Sequence, residues 1–181
     1  MLSKLQKRKL TKFFSMYDTN CNGYLAKKDF DSFCKRLAGL RDWSLRSPWY
    51  IGLSTQLDRD WKALKGSADQ DQDSKISIAE WLDYYDCLLD DSKKYEERVK
   101  SLMELVFGAF DQNKAGTINL EEWAGLLSVY NVSPVYAPQA FEILGINPAE
   151  TIDKDHMLTY IKDFFYSDDP NTPANSMFGP Y

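Results

Sequence analysis

The sequence predicts an all-α fold made of four helix–loop–helix units in one compact body. Polar stretches of twelve residues recur in one shared frame, and three of them carry oxygen-bearing side chains at alternate positions. Each stretch lies between segments whose apolar residues recur at the spacing of an amphipathic helix. The chain has 181 residues, 44% of them hydrophobic, which is enough for a folded core. A repeat of this kind predicts one supersecondary unit per copy.

The first unit surrounds the stretch DTNCNGYLAKKD, from Asp18 to Asp29. Its apolar residues are Leu10, Phe13, Phe14 and Tyr17 before the loop and Phe30, Phe33, Cys34 and Leu37 after it. Both sets mark one face of a helix. The candidate ion ligands are Asp18, Asn20, Asn22, the carbonyl of Tyr24, and Asp29. Gly23 provides the sharp turn at position 6, whereas an aspartate stands at position 12, where glutamate is usual.

The second unit surrounds DQDQDSKISIAE, from Asp69 to Glu80. The candidate ligands are Asp69, Asp71, Asp73, the carbonyl of Lys75, and Glu80. Crowded carboxylates repel each other unless a cation lies among them, so the spacing predicts an ion site. Ser74 must adopt the left-handed turn that glycine favours, at a cost of about 1–2 kcal/mol. Lys65 is the one misfit in the apolar stripe of the preceding helix.

The third unit surrounds DQNKAGTINLEE, from Asp111 to Glu122. The candidate ligands are Asp111, Asn113, the carbonyl of Thr117, and Glu122. Ala115 offers no ligand at position 5, so a water molecule would substitute there at reduced affinity.

A fourth unit keeps the helices and lacks the ligands. Its loop, GINPAETIDKDH, has Gly145, Ala149 and His156 at positions 1, 5 and 12. We therefore expect three ion sites and one silent loop.

The spacing suits a hard divalent cation. Ca²⁺ takes six to eight oxygen ligands at about 2.3–2.6 Å, and a twelve-residue loop supplies them from alternate positions. With four carboxylates, the second loop is expected to bind Ca²⁺ most tightly. Asp29 is one methylene shorter than glutamate, which favours six-coordination, so we expect Mg²⁺ to compete at the first loop. The predicted cofactors are three Ca²⁺ ions, with Mg²⁺ as the competitor.

A strand-forming aliphatic residue stands at position 8 of every loop. These residues are Leu25, Ile76, Ile118 and Ile152. A β-branched or aliphatic side chain inside a polar loop favours pairing with its equivalent in a neighbouring unit. The pattern predicts short two-stranded ladders between paired loops.

With these motifs the chain resembles the EF-hand superfamily, and more narrowly the group of sarcoplasmic calcium-binding proteins, calexcitin and calerythrin. The narrower features are the segment RDWSLRSPWYIGLS between the first two loops and the C-terminal segment DFFYSDDPNTPANSMFGPY. The resemblance implies two pairs of hands packed face to face. We expect an N-terminal pair in residues 1–90, a C-terminal pair in residues 91–181, and a tail in residues 167–181.

The predicted function is that of a cytoplasmic Ca²⁺ buffer with some Mg²⁺ exchange. Sensor EF-hands open on Ca²⁺ and expose a methionine-rich groove. The five methionines of this chain do not cluster in one pair of hands, and its core positions are aromatic. Two alternatives stay open. The protein is a Ca²⁺ sensor with a protein target, or a Ca²⁺-regulated carrier whose tryptophans line a cavity for an apolar small molecule.

Composition argues against several other classes. The net charge of −5 makes nucleic acid and anionic membrane surfaces poor default partners. No uninterrupted apolar stretch is long enough to cross a bilayer, so we expect no stable membrane insertion. The basic residues near the start predict the solvated face of the first helix; they are Lys4, Lys7, Arg8, Lys9 and Lys12. The chain has a single histidine and no nucleophile, phosphate-loop or zinc motif, so we expect no enzymatic activity. We expect a monomer.

Overall fold

The computed structural model describes residues 1–111 and 113–181 and confirms the all-α prediction. The helices are α1 (Lys4–Tyr17), α2 (Lys27–Leu40), α3 (Pro48–Ala68), α4 (Ile78–Leu89), α5 (Ser92–Tyr95), α6 (Ser101–Phe110), α7 (Leu120–Val129), α8 (Ala137–Ile143) and α9 (Lys154–Tyr166). A π-helical segment, Glu96–Lys100, joins α5 to α6. Short 3₁₀ turns cover Pro134–Tyr136 and Pro173–Ser176.

The strands pair as the position-8 pattern predicts. They are β1 (Tyr24–Leu25), β2 (Ile76–Ser77), β3 (Thr117–Ile118) and β4 (Ile152–Asp153). β1 is antiparallel to β2 with Leu25 opposite Ile76, and β3 is antiparallel to β4 with Ile118 opposite Ile152. All four of these residues are buried. Each ladder therefore joins two loops back to back, the first with the second and the third with the fourth.

Local capping explains where the helices leave the loops. The Oγ of Ser77 accepts a hydrogen bond from the N–H of Glu80, and Asn119 does the same for Glu122. A carboxylate oxygen of each glutamate in turn accepts a hydrogen bond from the backbone N–H of its capping residue. This capping box satisfies donors that a helix start leaves unpaired. Position 9 of the loop is thus the N-cap of the exit helix, and position 12 lies in the first turn of that helix.

Aromatic rings pack across the boundary between the two pairs of hands. Phe13 of α1 lies edge-on to Phe165 of α9 with ring centroids 5.2 Å apart. Tyr85 of α4 stacks on the same Phe165 at 5.8 Å. Phe33 of α2 contacts Tyr130, just after α7, at 4.7 Å. The core therefore runs through both halves, and the division into residues 1–90 and 91–181 stays a prediction.

The C-terminal tail is part of this core. Met177 and Phe178 are buried. The Phe178 ring lies 5.1 Å from Phe164 and 5.9 Å from Tyr130, between centroids. The segment after α9 therefore folds back and closes the end of the core.

Lys9 corrects one expectation from the sequence. This residue is only 1% exposed, and its Nζ donates to the carbonyl of Ser167 at 2.7 Å and to Oδ1 of Asn175 at 3.0 Å. Burial lowers the pKa of this ammonium to about 8. The prediction of a solvated face is wrong for Lys9 because the tail covers that side of α1 and supplies polar partners.

Across the described ranges, 1–111 and 113–181, no helix has the length and apolar character needed to cross a bilayer.

Candidate metal centre

The second loop brings its acidic side chains together. Within the described residues, Asp69, Asp71 and Asp73 each offer a carboxylate oxygen, and these atoms lie within 4.8 Å of one another. Oδ2 of Asp69 accepts a hydrogen bond from the N–H of Ser74 at 3.1 Å. Its Oδ1 is buried and has no hydrogen-bond partner among the described residues. An inward carboxylate oxygen of this kind is the atom that a cation would satisfy.

Glu80 closes the second loop from the exit helix. Its Oε1 accepts a hydrogen bond from the N–H of Gln70 at 3.0 Å, and its Oε2 accepts from the Ser77 N–H at 2.8 Å. The Ser77 hydroxyl donates the third hydrogen bond of this carboxylate, to Oε2 at 2.7 Å. The hydroxyl and the backbone donors lower the pKa of the Glu80 carboxyl, so the group is ionised at neutral pH.

Left-handed backbone at two positions gives each ion loop its curl. At position 6, Ser74 has φ +63°, and Gly23 and Gly116 have φ +81° and +75°. Position 4 is also left-handed in all three loops. The residues there are Cys21 (φ +53°), Gln72 (φ +60°) and Lys114 (φ +55°). Sequence reasoning missed position 4, because none of these residues is a glycine that would signal the turn.

The first loop holds its two terminal aspartates inside the protein. Asp18 is 6% exposed and accepts hydrogen bonds from the N–H groups of Asn22 and Gly23. Asp29 is 2% exposed and accepts from the Ala26 N–H at 2.8 Å and from the Asn20 side-chain amide at 3.3 Å. The Asn20 amide must therefore turn its oxygen inward before it can coordinate an ion.

The third loop resembles the second at its entrance. Oδ2 of Asp111 accepts a hydrogen bond from the Gly116 N–H at 2.9 Å, and Oδ1 is buried without a partner among the described residues. Oδ1 of Asn113 accepts from the N–H of Ala115 at 2.8 Å. Ala115 contributes only a methyl group at position 5, so this loop presents fewer oxygens than the second.

The position-7 residues lie at the start of the ladders. Tyr24 and Thr117 begin β1 and β3, and Lys75 directly precedes β2. The Lys75 ammonium lies 4.5 Å from the centroid of the Tyr24 ring, in a cation–π contact. The side chain of Lys75 is thereby directed onto the neighbouring loop.

In the fourth loop, the side chains of Glu150 and His156 form hydrogen bonds with other residues of the same loop. Glu150 accepts a hydrogen bond from the N–H of Asn147, and His156 Nδ1 lies 2.7 Å from Oδ2 of Asp153. The bonds from His156 lower the pKa of the Asp153 carboxyl. Position 12, which carries a carboxylate in the other loops, is a histidine here. Its donor chemistry supports the prediction that this loop binds no ion, which stays a prediction.

The donor set of the three acidic loops fits a hard divalent cation. The side-chain ligands available are carboxylate and amide oxygens, which Ca²⁺ and Mg²⁺ prefer. Two position-1 aspartates, Asp69 and Asp111, keep a buried oxygen free of hydrogen bonds among the described residues. In the second loop the carboxylates already converge. The individual ligands stay a prediction.

Comparison with known proteins gives an independent line of support. No family model matches the chain. The sarcoplasmic calcium-binding proteins I, III and IV of Branchiostoma lanceolatum are 23% identical over 169 residues, covering 91% of this chain and 89% of theirs. The solved structure of an amphioxus sarcoplasmic calcium-binding protein matches with a TM-score of 0.77 and 20% identity, covering 100% of both chains.

A second solved structure extends the likeness to a protein with another ligand. The coelenterazine-binding protein of Renilla muelleri, in its calcium-loaded apo form, matches with a TM-score of 0.69 and 21% identity. The match covers 99% of this chain and 100% of that one. At this identity the likeness shows the fold alone. The repeated loops, the paired ladders and these relatives together show that the chain resembles calcium-binding EF-hand proteins, and among them the sarcoplasmic calcium-binding protein group.

Proposed function

We propose that this protein is a cytoplasmic Ca²⁺ buffer with three ion sites, in residues 18–29, 69–80 and 111–122. Mg²⁺ exchanges with Ca²⁺ at the first of them, because Asp29 is short and already buried among internal donors. The observation that carries the buffer function is the aromatic core shared by the two pairs of hands.

A sensor must separate its helices when it binds Ca²⁺. In this molecule, opening the first pair would pull Phe13 away from Phe165 and Phe33 away from Tyr130. Aromatic pairs contribute about 0.5–1.5 kcal/mol each beyond their buried area, so several contacts resist opening together. Of the five methionines, Met16, Met103, Met157 and Met177 are buried and Met1 is exposed. A single exposed methionine does not form a methionine-rich groove. Ion binding without opening is the behaviour of a buffer.

The sensor alternative draws on one exposed segment. Leu45, Trp49 and Ile51, between α2 and α3 and in the first turn of α3, are 66%, 44% and 52% exposed. Scattered exposed apolar residues are common on protein surfaces, so this segment gives the sensor less support than the shared core gives the buffer.

The carrier alternative requires an apolar cavity in the core that is large enough for the ligand, and the cavity found there is small. A cavity of about 40 Å³ lies among aromatic residues of the core, including Phe13, Tyr17, Trp81 and Tyr85. Pockets for small organic ligands measure about 300–1,000 Å³. A cavity of this size holds a few water molecules at most, so a ligand of the size that the coelenterazine-binding relative takes would require the core to expand.

Calorimetric titration and a hydrophobic dye test these alternatives together. Ca²⁺ is titrated into the EDTA-stripped protein with and without millimolar Mg²⁺, and dye fluorescence is recorded at each end point. A buffer gives up to three Ca²⁺ per chain, Mg²⁺ competition at one site, and flat dye fluorescence. A strong rise in fluorescence on Ca²⁺ but not Mg²⁺ would favour the sensor. An absorbing small molecule that co-purifies would favour the carrier.

A further inference from the structure

The turn of the second loop is made by a residue that disfavours it. Ser74 has φ +63° at position 6, where the first and third loops have glycine. A side chain in this conformation is strained, whereas glycine adopts it freely. A contact that holds the serine in this conformation would offset the difference.

The side chain of Lys65 contacts this serine directly. Its Nζ lies 2.7 Å from Oγ of Ser74. Ser74 in turn donates its backbone N–H to Oδ2 of Asp69 at 3.1 Å. A chain of hydrogen bonds therefore runs from the entering helix α3, through the turn, to the first candidate ligand.

The position equivalent to Lys65 in the other three units is occupied by phenylalanine. Lys65 stands four residues before the loop, on the stripe of α3 that carries apolar residues. The equivalent residues are Phe14, Phe107 and Phe141, and all three are buried. The unit with serine in its turn is thus the one with lysine at this place. The exposed Lys65, a misfit in the apolar pattern, is explained by its bond to the loop.

The ammonium of Lys65 does not neutralise the ligands. Among the described residues, the ion pairs within 4.0 Å include none between Lys65 and the aspartates of the second loop. The carboxylate oxygens stay available to an ion, while a positive charge remains beside Ser74, the neighbour of Asp73. That charge repels a divalent cation. The contact therefore has two opposed consequences: it orders the turn, and it weakens the electrostatic attraction of the loop for a cation.

We propose that Lys65 is a positioning residue for the second loop, and that the Lys65–Ser74 pair replaces the phenylalanine–glycine pair of the first and third units. The pair holds the turn in its binding shape before the ion arrives and lowers the affinity of the completed site through its charge. This inference rests on the proposed ion site in residues 69–80.

A double-mutant cycle in the full-length protein separates the two consequences. The four proteins are the wild type, K65M, S74G and K65M/S74G, and the probe is Ca²⁺ alone. In the S74G background Lys65 has lost its hydrogen bond and only repels the ion. Removing Lys65 there should raise the Ca²⁺ affinity of the second loop about three- to tenfold. With the native Ser74 the lost hydrogen bond offsets this gain, so K65M should change the affinity less than twofold. An equal effect of K65M in both backgrounds would overturn the proposal.

Matched variants guard against a general charge effect. Lys62 lies one turn earlier on α3, and its side chain is 76% exposed. K62M removes the same charge without touching the turn, so its effect should be the same in the wild-type background as in the S74G background. K65R keeps a donor and a charge, and it should stay within about twofold of the wild type.

A measurement without metal tests the positioning role by itself. In EDTA, the amide of Ser74 should exchange its hydrogen about five- to tenfold faster in K65M than in the wild type, because the turn is less ordered. Unchanged exchange would overturn the positioning role, whatever the Ca²⁺ affinities. Faster exchange in a loop that binds no Ca²⁺ in any variant would support the pair and overturn the proposed ion site instead.

Discussion

At the first position of the second and third loops, an aspartate keeps one buried oxygen without a hydrogen-bond partner among the described residues. The other oxygen of each aspartate accepts the backbone N–H of the residue at position 6. One oxygen thus holds the turn of the loop, while the other is left to coordinate an ion. A buried carboxylate oxygen without a donor raises the free energy of the metal-free protein, so an ion that satisfies it stabilises the folded state.

Glu80 is the residue on which the predicted tightest site depends. Replacing it with glutamine, E80Q, keeps a side chain of the same length that can accept the Ser77 N–H. It removes one negative charge and the bidentate carboxylate that Ca²⁺ requires. We expect the tightest Ca²⁺-binding step in calorimetry to weaken at least tenfold. E150Q makes the same change in the fourth loop, which is predicted to bind no ion, and serves as the control. An unchanged first step in E80Q would show that the loops are ranked wrongly.

Asp29 is predicted to set the ion preference of the first loop. In D29E the added methylene lets both oxygens reach an ion at position 12, which favours the larger coordination number of Ca²⁺. We expect the ratio of Ca²⁺ to Mg²⁺ affinity at this loop to rise several-fold, measured by Ca²⁺ titration at a series of Mg²⁺ concentrations. A ratio that stays the same would reject the argument from ligand length. Because Asp29 is buried, thermal unfolding of D29E in EDTA should be checked for a loss of stability.

Among the elements, the loops and their flanking helices could be predicted from sequence, because their signals are local. A loop frame of twelve residues, a stripe at helical spacing and an aliphatic residue at position 8 each lie within one unit. The paired ladders confirm this interpretation. The contacts of the tail could not be predicted in this way. Lys9 and its partner Ser167 are separated by 158 residues, and a lysine on a helix is normally exposed.

The bond between α1 and the tail predicts a pH dependence of stability. Burial lowers the pKa of Lys9 from 10.5 to about 8, against the opposing charges of Asp168 and Asp163. Between these two pH values the unfolded chain holds a proton that the folded protein has released. Stability therefore rises with pH in this window as far as Lys9 contributes.

K9M isolates this contribution, because other titrating groups are common to both proteins. The free energy of unfolding of the wild type, relative to K9M, should increase by about 2 kcal/mol from about pH 7 to about pH 10. Urea unfolding at several pH values measures it. K4M, which alters an exposed lysine of the same helix, should show no comparable trend. A constant difference between wild type and K9M would mean that Lys9 is hydrated in solution.

At the scale of the whole molecule, aromatic contacts link the two halves, whereas each ladder lies within one half. Each ladder pairs only two residues from each loop. Phe13, Tyr85 and Phe165 join α1, α4 and α9 through three ring contacts. These contacts arise from three separate segments, so the sequence pattern identifies the rings as core without indicating which rings meet. The same contacts support the proposed buffer function, since they oppose the opening of either pair alone.

Tyr130 tests whether the halves unfold as one unit. It is buried, and its ring contacts Phe33 and Tyr17 of the first hand and Phe178 of the tail. Truncation in Y130A should lower the free energy of unfolding in EDTA by about 3–5 kcal/mol, the usual range for a buried aromatic residue. Y130F keeps the ring and loses only the contacts of the hydroxyl, among them the one with Met103, so it should cost far less.

The shape of the calorimetric transition then shows whether the two halves unfold together or independently. If the aromatic core couples the halves, Y130A lowers the temperature of a single transition whose calorimetric and van't Hoff enthalpies agree. Two transitions, with only one of them shifted by Y130A, would show that residues 1–90 and 91–181 unfold independently. The proposed buffer function would then lose its physical basis, because one pair of hands could open on Ca²⁺ without disturbing the other.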